Sequence, residues 1–252
     1  MKLNAEKEVT KIVQFIRDYY AKNHLGGVIL GISGGKDSAV AAALFVRALG
    51  KEKVIGLTLP CHSKEEDRIH AQLISDRYGF SLYHLDLTNV FNCFHEELNQ
   101  LDFVSEDLCQ NSDLNLKPRL RMATAYYFAA LMSEVHHQTY LVAGTSNQCE
   151  LYVGYFTKGG DSVHDIAVLA DFTVEEVLAL GDFLEVPKEV LYKAPSDGLS
   201  NQTDEEKLGV TYQEIASYME NPQLVEPEQR RKIEVLHERN QHKFVIPTYR
   251  KE

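Results

Sequence analysis

No apolar run in this chain reaches the roughly 18 residues that a bilayer-spanning helix requires, which excludes a helical membrane protein. The opening stretch MKLNAEKEVTKIVQF is polar and amphipathic and lacks the apolar centre of a secretory leader. Cysteine is scarce. Cys61, Cys93, Cys109 and Cys149 are far apart and form no CxxC pair, so neither a zinc site nor a disulfide framework is expected. The thiols read as free in a reducing cytoplasm. Basic charge is scarce as well: 26 Lys and Arg stand against 37 Asp and Glu, a net charge of −11. That excludes the broad basic face by which proteins neutralise nucleic-acid phosphates. A small anionic ligand is still allowed where a few cations converge. Internal repeats and low-complexity linkers are also missing, so 1–252 reads as one domain. Its length suffices to bury a sizeable core.

What is present alternates. Glu6–Tyr20 reads as a helix with Val9, Ile12, Val13 and Ile16 on one face. Val28–Ile32 reads as a strand, followed by a helix to Ala48. Val54–Leu59 is a second strand, closed by Pro60; a helix over Lys64–Tyr78 and a strand over Ser81–Leu87 follow. Val90–Asn99 looks helical. Leu101–Lys117 is polar and reads as an irregular loop. Pro118 then starts a helix to about Val135, and Thr139–Ala143 is a fourth strand. Strands alternating with helices imply an α/β fold, a doubly wound, mostly parallel sheet with helices on both faces. Ligands of such sheets bind beyond the carboxyl ends of the strands. The segments GISGGKDS, LPCHS and GTSNQCE all fall there.

The segment from Gly31 to Ser38 is the most informative. Free amides at a helix N-terminus attract anions, and Gly34 and Gly35 let backbone approach a phosphate closely. Ser33 and Ser38 can donate hydroxyl hydrogen bonds. Asp37 would repel a bare phosphate, but fits beside one if a cation such as Mg²⁺ lies between them. Leu30 and Asp37 break a Walker A pattern, and no GxGxxG is present.

SGGKDS resembles the SGGxDS loop of the ATP pyrophosphatases. NLKPRLRM at 115–122, GTSNQCELYVGYFTKGGD at 144–161 and KAPSDGLSNQTDEEKLGVTY at 193–212 resemble successive motifs of ammonia-dependent NAD synthetase, in that family's order. The resemblance covers nearly the whole chain and implies an adenine nucleotide alpha hydrolase-like fold. It also implies an enzyme that adenylates the nicotinate carboxylate of deamido-NAD with ATP, releases pyrophosphate, and lets ammonia attack the acyl-adenylate to give NAD and AMP. No segment is available to generate ammonia from glutamine, so free ammonia is the expected nitrogen source. Such chemistry depends on positioning and charge stabilisation, which agrees with the lack of a Ser/His/Asp or Cys/His signature.

By the same resemblance, Gly31, Ile32, Ser33, Gly34, Gly35, Lys36, Asp37 and Ser38 would bind the ATP phosphates. Asp37 and Glu150 would hold Mg²⁺. Thr145 would contact ATP or cap the next helix, and Ser196 would reach ATP from a flexible loop. Arg121, Lys158, Asp165, His242 and Lys243 would hold deamido-NAD, with Tyr126 and Tyr155 stacking on the pyridine ring or packing in the core. A cytoplasmic homodimer is implied, with the deamido-NAD site at the subunit interface; the helices at Glu6–Tyr20 and Pro118–Val135 carry apolar surface for it. Segments 101–117 and 195–208 are expected to close over the ligands. One departure stands out: Val174 occupies a position where the family carries lysine. Two other readings therefore stay open, an ATP pyrophosphatase acting on a different acceptor and a non-catalytic nucleotide binder. Lys36 either replaces the missing charge or points into solvent.

Overall fold

Five short strands pair into one sheet: Gly27–Gly31 (β1), Val54–Thr58 (β2), Ser81–His84 (β3), Tyr140–Gly144 (β4) and Ile166–Ala167 (β5). A computed structural model describes residues 3–62, 65–104, 106–193 and 203–251, with the backbone alone for 106–111. The strand order is β3-β2-β1-β4-β5, and every neighbouring pair is parallel. The doubly wound parallel sheet expected from the alternation is therefore present. β5, two residues long, was too short to show as a periodic pattern.

The sheet separates two cores. Val28, Leu30 and Val54 face one side and pack with α1 (Ala5–Lys22), α2 (Lys36–Leu49), α7 (Val174–Phe183) and α8 (Lys188–Leu191). Ile29, Ile55, Leu57 and Val142 face the other, against α4 (Thr88–Leu98) and α5 (Glu106–His136). This alternation is the two-residue period of a strand buried on both faces. A third cluster lies toward the C-terminus. Cys149 and Val153 of α6 (Gln148–Val153) pack there with Tyr212 and Ile215 of α10 (Tyr212–Glu220) and Ile233 of α11 (Pro227–Asn240). The chain also forms α3 (Glu65–Tyr78) and α9 (Asp204–Leu208).

Two expectations need correction. The polar stretch read as an irregular loop up to Lys117 is helical from Glu106, and α5 runs through Pro118 to His136. The cause is tertiary: Leu116 and Leu120 pack on the sheet, while Asn115 accepts the Thr157 hydroxyl at 2.9 Å, and such contacts override a proline's cost inside a helix. Second, the apolar face of α1 is used inside the chain. Val9, Ile12, Val13, Ile16 and Tyr20 are all buried, which leaves only Phe15 and Tyr19 for any outside contact. Exposed apolar side chains gather instead on α4, α5 and the segment between them: Phe94, Leu98, Phe103, Tyr127, Leu131 and Val135.

Candidate active site

The strand order reverses between β1 and β4, so the segments leaving their carboxyl ends diverge and open a crevice. GISGGKDS leaves β1 and GTSNQCE leaves β4, and both line one cleft of about 700 Å³.

The first wall is the loop from Ile32 to Gly35. The Ile32 amide donates to the Leu57 carbonyl at 2.8 Å and fixes the loop's start. Gly34 has φ +78°, and a Cβ there would lie 2.5 Å from the Asp67 carbonyl oxygen. Only glycine meets both conditions. The Ser33 hydroxyl accepts from the Gly35 amide at 3.3 Å and lies 3.2 Å from the Ser38 hydroxyl. Gly35 caps α2 without a side-chain hydrogen bond, which leaves the first helical amides open to an anion.

The second wall begins at Asn147, fully buried at the start of α6. Its Oδ1 accepts from the Glu150 amide at 3.1 Å, and the Glu150 carboxylate accepts from the Asn147 amide at 3.0 Å. This capping box holds Glu150 in place. The Asn147 side-chain amide also donates to Asp37 Oδ1 at 3.3 Å across the cleft. One asparagine thus ties together the two carboxylates expected to share a metal. The helix cap is Asn147 and not Thr145, which lines the cleft two residues upstream.

Electrostatics single out the same pair. Burial, then the negative charge of Asp37, push the Glu150 carboxyl up to about 8. A carboxyl whose ionisation a neighbouring carboxylate opposes favours a cation between the two. Among the described residues, no three His, Cys, Asp or Glu side chains form a complete metal cage. Asp37 and Glu150 fit Mg²⁺ instead, which binds one or two carboxylates and completes its shell with phosphate oxygens and water.

Lys36 does not point into solvent. It is 8% exposed, and its ammonium donates to Asp37 Oδ2 at 2.9 Å and lies 5.8 Å from the centre of the Tyr212 ring. Burial works to lower its pKa, but the charges of Asp37 and Glu150 outweigh burial and raise it. Asp204, also buried, accepts from the hydroxyls of Tyr155 at 3.1 Å and Tyr212 at 3.3 Å. Val174 and Lys36 line one small adjoining cavity together with Lys193 and Tyr212. The Lys193 ammonium is held at 2.8 Å by Asp67.

Toward the cleft's far end, the Arg121 Nε donates to the Leu59 carbonyl at 3.0 Å. The Lys243 ammonium donates to the carbonyls of Gly154 at 2.6 Å and Phe156 at 2.8 Å. Arg121, Tyr155 and Lys243 all line the cleft. Lys158, Asp165, Tyr126 and His242 are not among the residues lining it. Asp165 accepts from the Val142 amide at 2.8 Å and the Tyr126 hydroxyl at 3.0 Å, and the Lys158 ammonium donates to the His242 carbonyl at 2.6 Å. Ser196 lies outside the described residues.

Sequence reasoning missed Asn147, Asp204, Arg239 and Asn240, all at this site. The N-x-x-E spacing of Asn147 and Glu150 is a legible capping signal. Asp204 sits in a T-D-E-E run that reads as ordinary helix-start charge, and the Thr203–Glu206 capping box is there as such a run implies. Its inward turn depends on two tyrosines whose meeting the sequence does not announce. Arg239 and Asn240 carry no motif.

The NAD synthase family profile matches residues 8–248. The NH(3)-dependent NAD(+) synthetase of Archaeoglobus fulgidus is 37% identical, over 97% of this chain and 96% of that one. The structure of NMN synthetase from Francisella tularensis superposes with a TM-score of 0.89 at 32% identity, over 100% of both chains. NH3-dependent NAD synthetase from Campylobacter jejuni shares the fold, with a TM-score of 0.79 at 24% identity, over 99% of this chain and 100% of that one.

Proposed function

This chain belongs to the NAD synthase family, and we propose from that premise that it converts deamido-NAD to NAD with ATP and ammonia. The observation that carries the reading is the joining of Asp37 and Glu150, from the ends of two different strands, beside a phosphate-binding loop. In this scheme the amides at the start of α2, with Ser33 and Ser38, bind the ATP phosphates. Asp37 and Glu150 would hold Mg²⁺, which would supply positive charge to offset that of the phosphates. The acceptor carboxylate attacks the α-phosphorus, the bond to the β-phosphate oxygen breaks, and pyrophosphate leaves. Ammonia then attacks the acyl carbon, AMP departs, and a proton is lost from nitrogen. Thr145 and Ser196 serve ATP. Arg121, Tyr155 and Lys243 serve the acceptor within the cleft. Lys158, Asp165, Tyr126 and His242 serve it from beyond the cleft lining, the arrangement expected if a second copy completes the site. The apolar surface of α4 and α5 supports a homodimer. We place the protein in the cytoplasm, the reducing compartment that suits four widely separated cysteines with no CxxC pair. No helix among the described residues is long and apolar enough to cross a membrane.

A second reading has specific support. The likeness to an NMN synthetase extends over both whole chains and exceeds that to the Campylobacter protein. It favours a pyridine mononucleotide carboxylate as acceptor. One assay decides between the readings. Deamido-NAD and nicotinate mononucleotide are each supplied with ATP, Mg²⁺ and ammonium, and the amide product, AMP and pyrophosphate are measured. The first reading expects kcat/KM for the dinucleotide to exceed that for the mononucleotide by at least tenfold. The reverse ratio establishes the second reading. Release of no AMP with either acceptor refutes both.

A further inference from the structure

A lysine is seldom buried unless it is paired. Lys36 is buried on the cleft floor, and its partner is one of the two carboxylates assigned to the metal. Both oxygens of Asp37 are engaged, Oδ1 by the Asn147 amide and Oδ2 by the Lys36 ammonium. Glu150 and Asp204 act on the same ammonium through their charge. Mg²⁺ sits about 2.0–2.1 Å from a carboxylate oxygen, so a metal on Asp37 would face an ammonium held against the same group. Like charges at that range in a partly buried site repel strongly.

We propose that Lys36 is the resident counter-ion of Asp37, so that the metal enters only together with nucleotide phosphates. The incoming phosphates offer the ammonium an alternative partner, and Asp37 is then free to accept the metal. Metal and nucleotide therefore bind with positive coupling, each strengthening the other. Lys36 is a positioning residue in this scheme. The inference rests on the ATP-and-metal reading above, but its test uses metal binding alone.

The experiment is Mn²⁺ binding to nucleotide-free protein, read from the paramagnetic resonance signal of free Mn²⁺. Lys36→Met should bind Mn²⁺ at least tenfold more tightly than the wild type, and adding Asp37→Asn to that variant should erase the gain. Equal affinity of Lys36→Met and wild type overturns the proposal. The wild type provides a second arm that needs no Lys36 variant. If nucleotide-free wild type binds one Mn²⁺ per chain at micromolar free metal, and Asp37→Asn abolishes this, the proposal is also overturned. Equilibrium dialysis with ATP and Mg²⁺ separates the two failures: wild type that binds no ATP refutes the underlying reading, whereas the Mn²⁺ results bear on Lys36.

Discussion

At the scale of single residues, the site is organised by shared partners. Asn147 caps a helix, fixes Glu150 and bonds Asp37 at once. Replacing an N-cap asparagine with alanine costs about 1 kcal/mol of stability. Asn147→Ala should lose about that much in urea unfolding, and turnover should fall at least tenfold because both carboxylates lose their tether. A variant with the stability loss but full turnover would limit Asn147 to a capping role. Asp37→Asn should leave the melting temperature within a few degrees of wild type and reduce turnover about a hundredfold or more, since charge stabilisation carries this type of chemistry. A near-normal rate would remove Asp37 from the mechanism. Asp37 and Gly34 were legible in the sequence because a phosphate loop is local: spacing, glycine and helix start lie within eight residues. Asp204 was not, because its burial depends on Tyr155 and Tyr212, far along the chain or on another element. The burial of Lys36 was equally hidden, since a lysine at a helix start normally reaches water.

At the scale of elements, β1 to β4 and the helices beside them followed from the sequence pattern, as did α5 from Pro118 onward, but neither β5 nor the start of α5 at Glu106 did. Leu114, Asn115, Pro118 and Arg121 of the N-terminal half of α5 line the cleft. The stretch read as a loop is thus the start of a helix that forms one wall of the cleft. The 157–161 turn rests directly on that wall. A Cβ at Gly160 would lie 2.9 Å from the Pro118 Cβ and 3.1 Å from its backbone carbon. Gly160→Val should push the turn off α5 and break the Thr157–Asn115 hydrogen bond. Overpacking of this kind costs about 1–3 kcal/mol. The expected kinetic result is a raised KM for the pyridine nucleotide with little change for ATP, because the turn lies at the acceptor end. Steady-state kinetics with each substrate varied in turn checks it, and equal rises in both KM values would argue against that division of the cleft.

At the scale of the whole molecule, the apolar side chains that stay exposed on α4 and α5 support assembly. Wild type is expected to sediment as a dimer, and Tyr127→Glu with Leu131→Glu to sediment as a monomer with activity lost. A fully active wild-type monomer in the ultracentrifuge would contradict the interface. The three apolar clusters carry a separate consequence. The sheet and its two flanking cores support the SGGKDS loop, whereas Glu150, Asp204, Arg239 and Asn240 come from the helices around the small third cluster. Repacking Ile215 or Ile233 would therefore shift the jaw that carries Glu150 and Asp204 against the loop that carries Asp37. Drift in residues that never meet substrate can thus retune the carboxylate pair and the far end of the cleft together, and the SGGxDS motif is silent about the jaw that faces it.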